Sequence, residues 1–257
     1  MTPEPPSIMA HPPKPKHMTR HAAVLGGATA SALALMGCGS LSPQTEAAHK
    51  IADALPGVLG HARHYEVRVE GDSLALTRGR ARRVVVHGQD VQIARDVILD
   101  TLDFTATDVA FDTKAKHLRH VGRVEFTGTV GQQHLNQYLA QSGSNPGLSV
   151  TLREHDMQAS LPISAGPIHT HVTVNGTASP TTAGGSQVSF TADRAKLGFL
   201  PVPAFLVNKA LDQVNPVVDL SHFKVPVALQ STDVEHHALT LHGTADITAL
   251  TSQQGPS

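Results

Sequence analysis

The chain has 257 residues, with 20 Lys and Arg against 21 Asp and Glu and a net charge of −1 when its 17 histidines are neutral. That balance leaves no basic footprint for nucleic acid, and an aromatic content of 4% without tryptophan offers no stacking platform for single strands or sugars. The sole cysteine can form neither an internal disulfide nor a redox pair, and the apolar content is chiefly Val, Leu and Ala, which suits a β-rich core.

That cysteine, Cys38, follows what reads as a targeting segment. Residues 1–17 are proline-rich and carry Lys14 and Lys16; Arg20 follows, and AAVLGGATASALALMG (22–37) is uncharged and built of small apolar residues. A basic flank, a short apolar stretch and a small residue before the cut describe a secretory signal. The stretch is shorter than the ~20 residues that a bilayer-spanning helix needs. Leu35-Met36-Gly37-Cys38 resembles a bacterial lipobox, which implies cleavage before Cys38 and its acylation. Ordinary secretion with an incidental cysteine is the alternative. Losing residues 1–37 removes Lys14, Lys16, Arg20 and Glu4, which leaves 17 basic and 20 acidic residues, a net of −3. Residues 38–43 would then form a lipidated tether.

From Gln44, the spacing of Ala47, Ala48, Ile51, Ala54 and Leu55 predicts an amphipathic helix over 44–62, bent at Pro56-Gly57. From Tyr65, period two takes over. Val67 and Val69 alternate with charge, Gly71-Asp72 marks a turn, and Leu74 and Leu76 continue the alternation into TRGRARR (77–83) and Val84-Val85-Val86. Further strand faces are Val91/Ile93, Leu102/Phe104/Ala106, Val109/Phe111 and Val124/Phe126/Gly128/Val130. Leu135, Tyr138 and Leu139 share one face of a middle helix. Strands then follow at 148–152, 157–163, 168–174 and 188–192, with 178–187 as a hairpin loop. In LGFLPVPAFLVNKALDQVNP (197–216), Pro203 suits the first turn of a third helix. The closing strands are Phe223/Val225/Val227/Leu229 and Leu239/Leu241, and 249–257 reads as a disordered tail.

Together these predict one α+β domain over 44–248: a curved, mostly antiparallel sheet packed with a few amphipathic helices and an apolar groove between them. Candidate groove residues are Leu135, Tyr138, Leu139, Phe199, Leu200, Phe205, Leu206 and Phe223, most of which a filled core would equally claim. The two prolines interrupting GFLPVPAFL single out a greasy segment that is costly to expose. Arg78, Arg80 and Arg82 fall on one side of an extended stretch and Arg83 on the other. Guanidinium forks match phosphate, which makes the first three headgroup candidates. A solvated edge strand that discourages aggregation is the plainer reading.

Catalytic and metal chemistry find little support. There is no G-x-S-x-G elbow, and Asp100, Asp103, Asp108 and Asp112 fall at expected strand ends, where Asp belongs in turns. His169 and His171 share a strand face and His236-His237 sit at a hairpin turn. Neither HExxH nor CxxC accompanies them, so no metal and no cofactor is expected.

Three segments carry a resemblance. NPVVDLSHFKVPVALQSTDVEHHALTLHGTAD (215–246), LTRGRARRVVVHGQDVQI (76–93) and VEFTGTVGQQHLNQYLAQ (124–141) are similar, in that family's order, to segments of the LmeA-type phospholipid-binding proteins. The resemblance implies a non-enzymatic protein of the cell envelope that binds phospholipid. One departure stands out: Gly131-Gln132-Gln133 replaces the Ser or Thr with an acid expected at the head of the middle helix, which removes a good cap. The resulting expectation is an exported, membrane-anchored lipoprotein that holds acyl chains in an apolar groove. The alternatives are a structural or assembly lipoprotein acting through protein contacts, and, more weakly, an enzyme acting on envelope glycolipid.

Overall fold

The computed structural model describes residues 42–93, 97–112, 117–142, 147–165, 168–197, 200–201, 207–208, 211–212 and 214–247. They belong to one compact unit, Ser40–Ser257. In chain order its elements are α1 (Pro43–Val58), β1 (His64–Glu70), α2 (Ser73–Thr77), β2 (Arg80–Gln92), β3 (Ile98–Asp112), β4 (His117–His120), β5 (Val124–Gly131) and α3 (Gln132–Ser142). They continue with β6 (Ser149–Arg153), β7 (Asp156–Ala165), β8 (Ile168–Pro180), β9 (Gln187–Leu197), β10 (Leu200–Pro201), β11 (Val218–Asp219), β12 (Val227–Glu235) and β13 (Ala238–Ala245).

Two antiparallel sheets result. The larger runs β1-β2-β3-β5-β13-β12, with β4 beside the far end of β3; the smaller runs β10-β9-β8-β7-β6, with β11 also on β9. The larger sheet curls into a half-barrel, and the whole is α+β, as the alternation predicts. Register puts one apolar face together in each sheet. In the larger, Val69, Val84 and Ala106 lie across from one another, then Val67, Val86, Phe104, Phe126 and Gly243. The Phe104 and Phe126 rings sit 5.9 Å apart, within the range of favourable aromatic pairs. In the smaller sheet, Leu152 faces Met157, which faces Gly176. The opposite faces carry Thr, Ser, Asp, Glu and His. Among the described residues the buried apolar side chains form one cluster.

The sheets meet along β12. This strand would otherwise be an open edge. Leu229 instead exchanges backbone hydrogen bonds with Gly184 and Gly185 in the β8–β9 turn, and the Val234 carbonyl accepts from the His155 N–H. The Thr232 hydroxyl donates to the Ala178 carbonyl at 2.7 Å. Gly243 in β13 has no room for a side chain: a Cβ there would lie 2.4 Å from the Ala228 carbonyl oxygen and 2.6 Å from the Phe126 ring.

Several expectations change. The first helix ends at Val58 instead of residue 62 and passes through Pro56. Proline there removes only one intrahelical donor close to the end, and the terminal Gly57 carbonyl accepts from Lys224 Nζ at 3.0 Å. Leu74 and Leu76 lie in a helix, α2, not a strand, because Asp72 caps it. The Leu102 and Val109 segments are one continuous strand, β3, so Asp100, Asp103 and Asp108 lie within a strand instead of in turns, and Asp112 falls at its end as expected. Phe223 and Val225 are buried but precede β12 instead of forming its start. His236 and His237 do form the β12–β13 turn. In the 197–216 segment, residues 207, 208, 211, 212 and 214 are helical.

Candidate functional site

One end of the larger sheet carries an open cleft of about 810 Å³. Its construction starts with Asp72, whose carboxylate accepts from the Leu74 and Ala75 N–H groups at 3.1 and 3.3 Å. That cap opens a helix of a single turn or so inside the β1–β2 connection. Arg78 closes it, and Gly79 at φ 75° turns the chain into β2, a conformation glycine adopts without Cβ strain. The Gly79 carbonyl then accepts from the Phe111 N–H at 2.7 Å, which ties the turn to the end of β3. α2 therefore overhangs the first residues of β2 and the last of β3, and the cleft lies beneath it.

Ala75, Ala81, Val109 and Ala110 supply its apolar lining, and Asp72, Arg80, Arg82, Asp108 and His120 the polar part. β2–β3 pairing is unbroken from Arg80/Ala110 to Ala81/Val109 and resumes at Arg83/Thr107; between them Asp108 stands at φ 51°. Arg82 lies 3.7 Å from Glu70, with both side chains well exposed, a weak restraint in water. The volume falls in the range of small-molecule sites, roughly 300–1,000 Å³.

Of the headgroup candidates, Arg80 and Arg82 line this cleft and Arg78 caps the helix above it. Arg78 thus leaves the extended stretch on which the three shared a side. The apolar candidates lie elsewhere. Leu135 and Leu139 are 0% and 2% exposed on the inward face of α3, Phe223 is 8% exposed, and Tyr138 packs partly buried against the same core. Leu200 forms the short β10 pairing with Leu197; its side chain, and Phe199, Phe205 and Leu206, lie outside the described residues, as does Cys38. Among the described residues no three His, Cys, Asp or Glu groups converge to hold a metal.

Missed from sequence were Leu74 and Phe111, both exposed at this end, together with Asp108 and His120. The signal for Leu74 was present: Asp72 before Ser73-Leu74-Ala75-Leu76-Thr77 and Gly79 after it are a cap and a stop.

Two of the segments that carry the resemblance, 124–141 and 215–246, prove architectural. Asn136 Nδ2 donates to the Val150 carbonyl at 2.8 Å and its Oδ1 accepts from the Val150 N–H at 2.6 Å. Asn215, before a cis Pro216, clamps Phe190 in the same way at 3.0 and 2.6 Å. At one end of a curled antiparallel sheet, Arg80 and Arg82 thus stand beside aliphatic lining, and a guanidinium can donate a charge-assisted hydrogen bond to an anion. Residues 44–244 match the model of the LmeA-like phospholipid-binding family, and the chain belongs to that family. No curated protein and no solved structure matches the chain.

Proposed function

We propose that this chain is a non-enzymatic, phospholipid-binding lipoprotein of the cell envelope, anchored through Cys38, that holds acyl chains in an apolar groove for carriage or presentation. The observation that carries this reading is membership of a phospholipid-binding family across 44–244. The lipobox-like Leu35-Met36-Gly37-Cys38 supports the anchor. Arg80 and Arg82 in a cleft with aliphatic lining support headgroup capture there, since guanidinium pairs well with phosphate. Burying each CH₂ of an acyl chain contributes about 0.8 kcal/mol, so retention needs few specific contacts.

Native mass spectrometry of residues 39–257, followed by lipid extraction, tests it. A stoichiometric adduct that releases phospholipid is the expected result. A mass that stays free of adduct after incubation with phospholipid vesicles would overturn the reading. The weight would then pass to a role through protein contacts, which the complete burial of Leu135 and Leu139 would fit.

A further inference from the structure

We infer that the α2 end of the larger sheet is a docking surface for the face of an anionic phospholipid bilayer. The two large apolar side chains exposed among the described residues, Leu74 at 59% and Phe111 at 42%, both lie at this end, where the Phe111 N–H donates to the carbonyl of Gly79, just past α2. Isolated exposed apolar residues are ordinary. These two instead flank a cleft with aliphatic lining and stand among arginines.

Charge identifies the occupant. Arg78, Arg80 and Arg83 are exposed, and none has an ion pair among the described residues. Of the acids nearby, Glu70 faces Arg82 and Asp112 pairs with Arg119, which leaves Asp72, the cap of α2, and Asp108. Three guanidiniums without an ion pair against two carboxylates, around two exposed apolar side chains, match a surface that is anionic outside and greasy within.

The chain's entry point agrees. α1 packs along β1 and also touches α2. β1 runs toward α2, so α1, returning antiparallel to it, has its N-terminal end on this side. The chain enters the described structure at Ser42, four residue steps from Cys38, a reach of at most about 14 Å. An acylated Cys38 therefore tethers the protein by the end that carries Leu74, Phe111 and the arginines. The apolar pair enters the headgroup layer, the guanidiniums contact phosphates, and the cleft opens toward the lipid that it would exchange.

The inference rests on the phospholipid reading for the class of ligand, but its test reads position instead of capture. The chain has no tryptophan, so Leu74→Trp introduces a single local reporter into the full-length protein. Phe111→Trp is a second, and Thr177→Trp, exposed on the polar face of β8, is the control. With vesicles of phosphatidylcholine and phosphatidylglycerol, emission at positions 74 and 111 should shift to the blue and be quenched by brominated acyl chains. Emission at 177 should do neither. Adding Arg78→Gln, Arg80→Gln and Arg83→Gln should lower the ratio of docked to undocked protein about fivefold per arginine. Silence at 74 and 111, equal quenching at 177, or a signal indifferent to the arginines and to phosphatidylglycerol would each overturn the proposal. A lipid adduct without insertion at 74 would leave carriage standing and sink docking alone; insertion without an adduct would do the reverse.

Discussion

Asp100, near the start of β3, serves the head of α3, where its carboxylate accepts from the Gly131 N–H and lies 3.1 Å from His134 Nδ1. The acid that a helix start calls for is thus supplied from 31 residues upstream. An anion at a helix N-terminus both satisfies a free donor and opposes the helix dipole. Asp100→Ala should cost about 2 kcal/mol, read as a lower urea midpoint at unchanged slope. Asp103→Ala is the contrast. Its carboxylate meets only His87, at 2.7 Å on the polar face with both groups part-exposed, so the loss should stay below about 1 kcal/mol. Equal losses would refute the capping role.

α3 closes the free edge of β6 by a match of spacings. Gln132 Oε1 accepts from the Leu152 N–H at 2.8 Å while Asn136 exchanges two bonds with Val150. Four residues of helix advance about 6 Å and two residues of strand about 6.8 Å, so amides one turn apart reach alternate residues of the edge. Asn136→Ala strands both polar groups of Val150, which is 1% exposed, and should cost about 2 kcal/mol. Asn136→Asp keeps the acceptor but aims a carboxylate at a carbonyl, and should be at least as damaging. Hydrogen exchange at the Val150 amide is the local readout, and unchanged protection in Asn136→Ala would contradict the edge-closing role.

The strands were legible in the sequence because each sheet has one wet face: Val67/Val69, Leu102/Phe104/Ala106 and Leu239/Leu241 alternate cleanly, and all fall on apolar faces. α2 is hidden in the sequence because two leucines two apart satisfy period two as well as a short helical turn, and Gly71-Asp72 reads as a turn although Asp72 is also a cap. The capping of α3 was illegible for another reason. Gln132 stands where a cap was expected, but its amide is used sideways on β6, and the acid arrives through tertiary pairing of β3 with β5. The cleft followed the same logic: TRGRARR announced a basic cluster, yet nothing local said that Gly79 would fold α2 over Arg80 and Arg82.

Tyr65 predicts the alkaline limit. Its hydroxyl donates to the Gly60 carbonyl at 2.8 Å, and burial pushes its pKa up to about 12. A group whose pKa rises on folding holds its proton more tightly in the native state. Its contribution is therefore complete below the unfolded value near 10 and is lost as pH rises toward 12. Tyr65→Phe should lose about 1 kcal/mol at pH 7 from the missing hydrogen bond. It should also unfold less steeply than the parent between pH 10 and 12. Parallel pH curves for the two proteins would show that Tyr65 does not set this limit.

Arg80 and Arg82 separate binding from folding. Both are exposed, and the Arg82 contact with Glu70 is long, so Arg80→Gln with Arg82→Gln should move stability by no more than about 0.5 kcal/mol per site. If the cleft holds a phosphate-bearing headgroup, each loses a charge-assisted bond, of which typical examples contribute about 1.5–3 kcal/mol. Retention of anionic phospholipid, read by native mass spectrometry, should then fall at least tenfold. Leu135→Ala is the mirror case: a fully buried side chain on α3, its removal should cost about 2–5 kcal/mol of stability and leave lipid retention at the cleft near normal under folding conditions. If retention instead followed Leu135 and ignored the arginines, the lipid would lie against α3 and the cleft would not be its site.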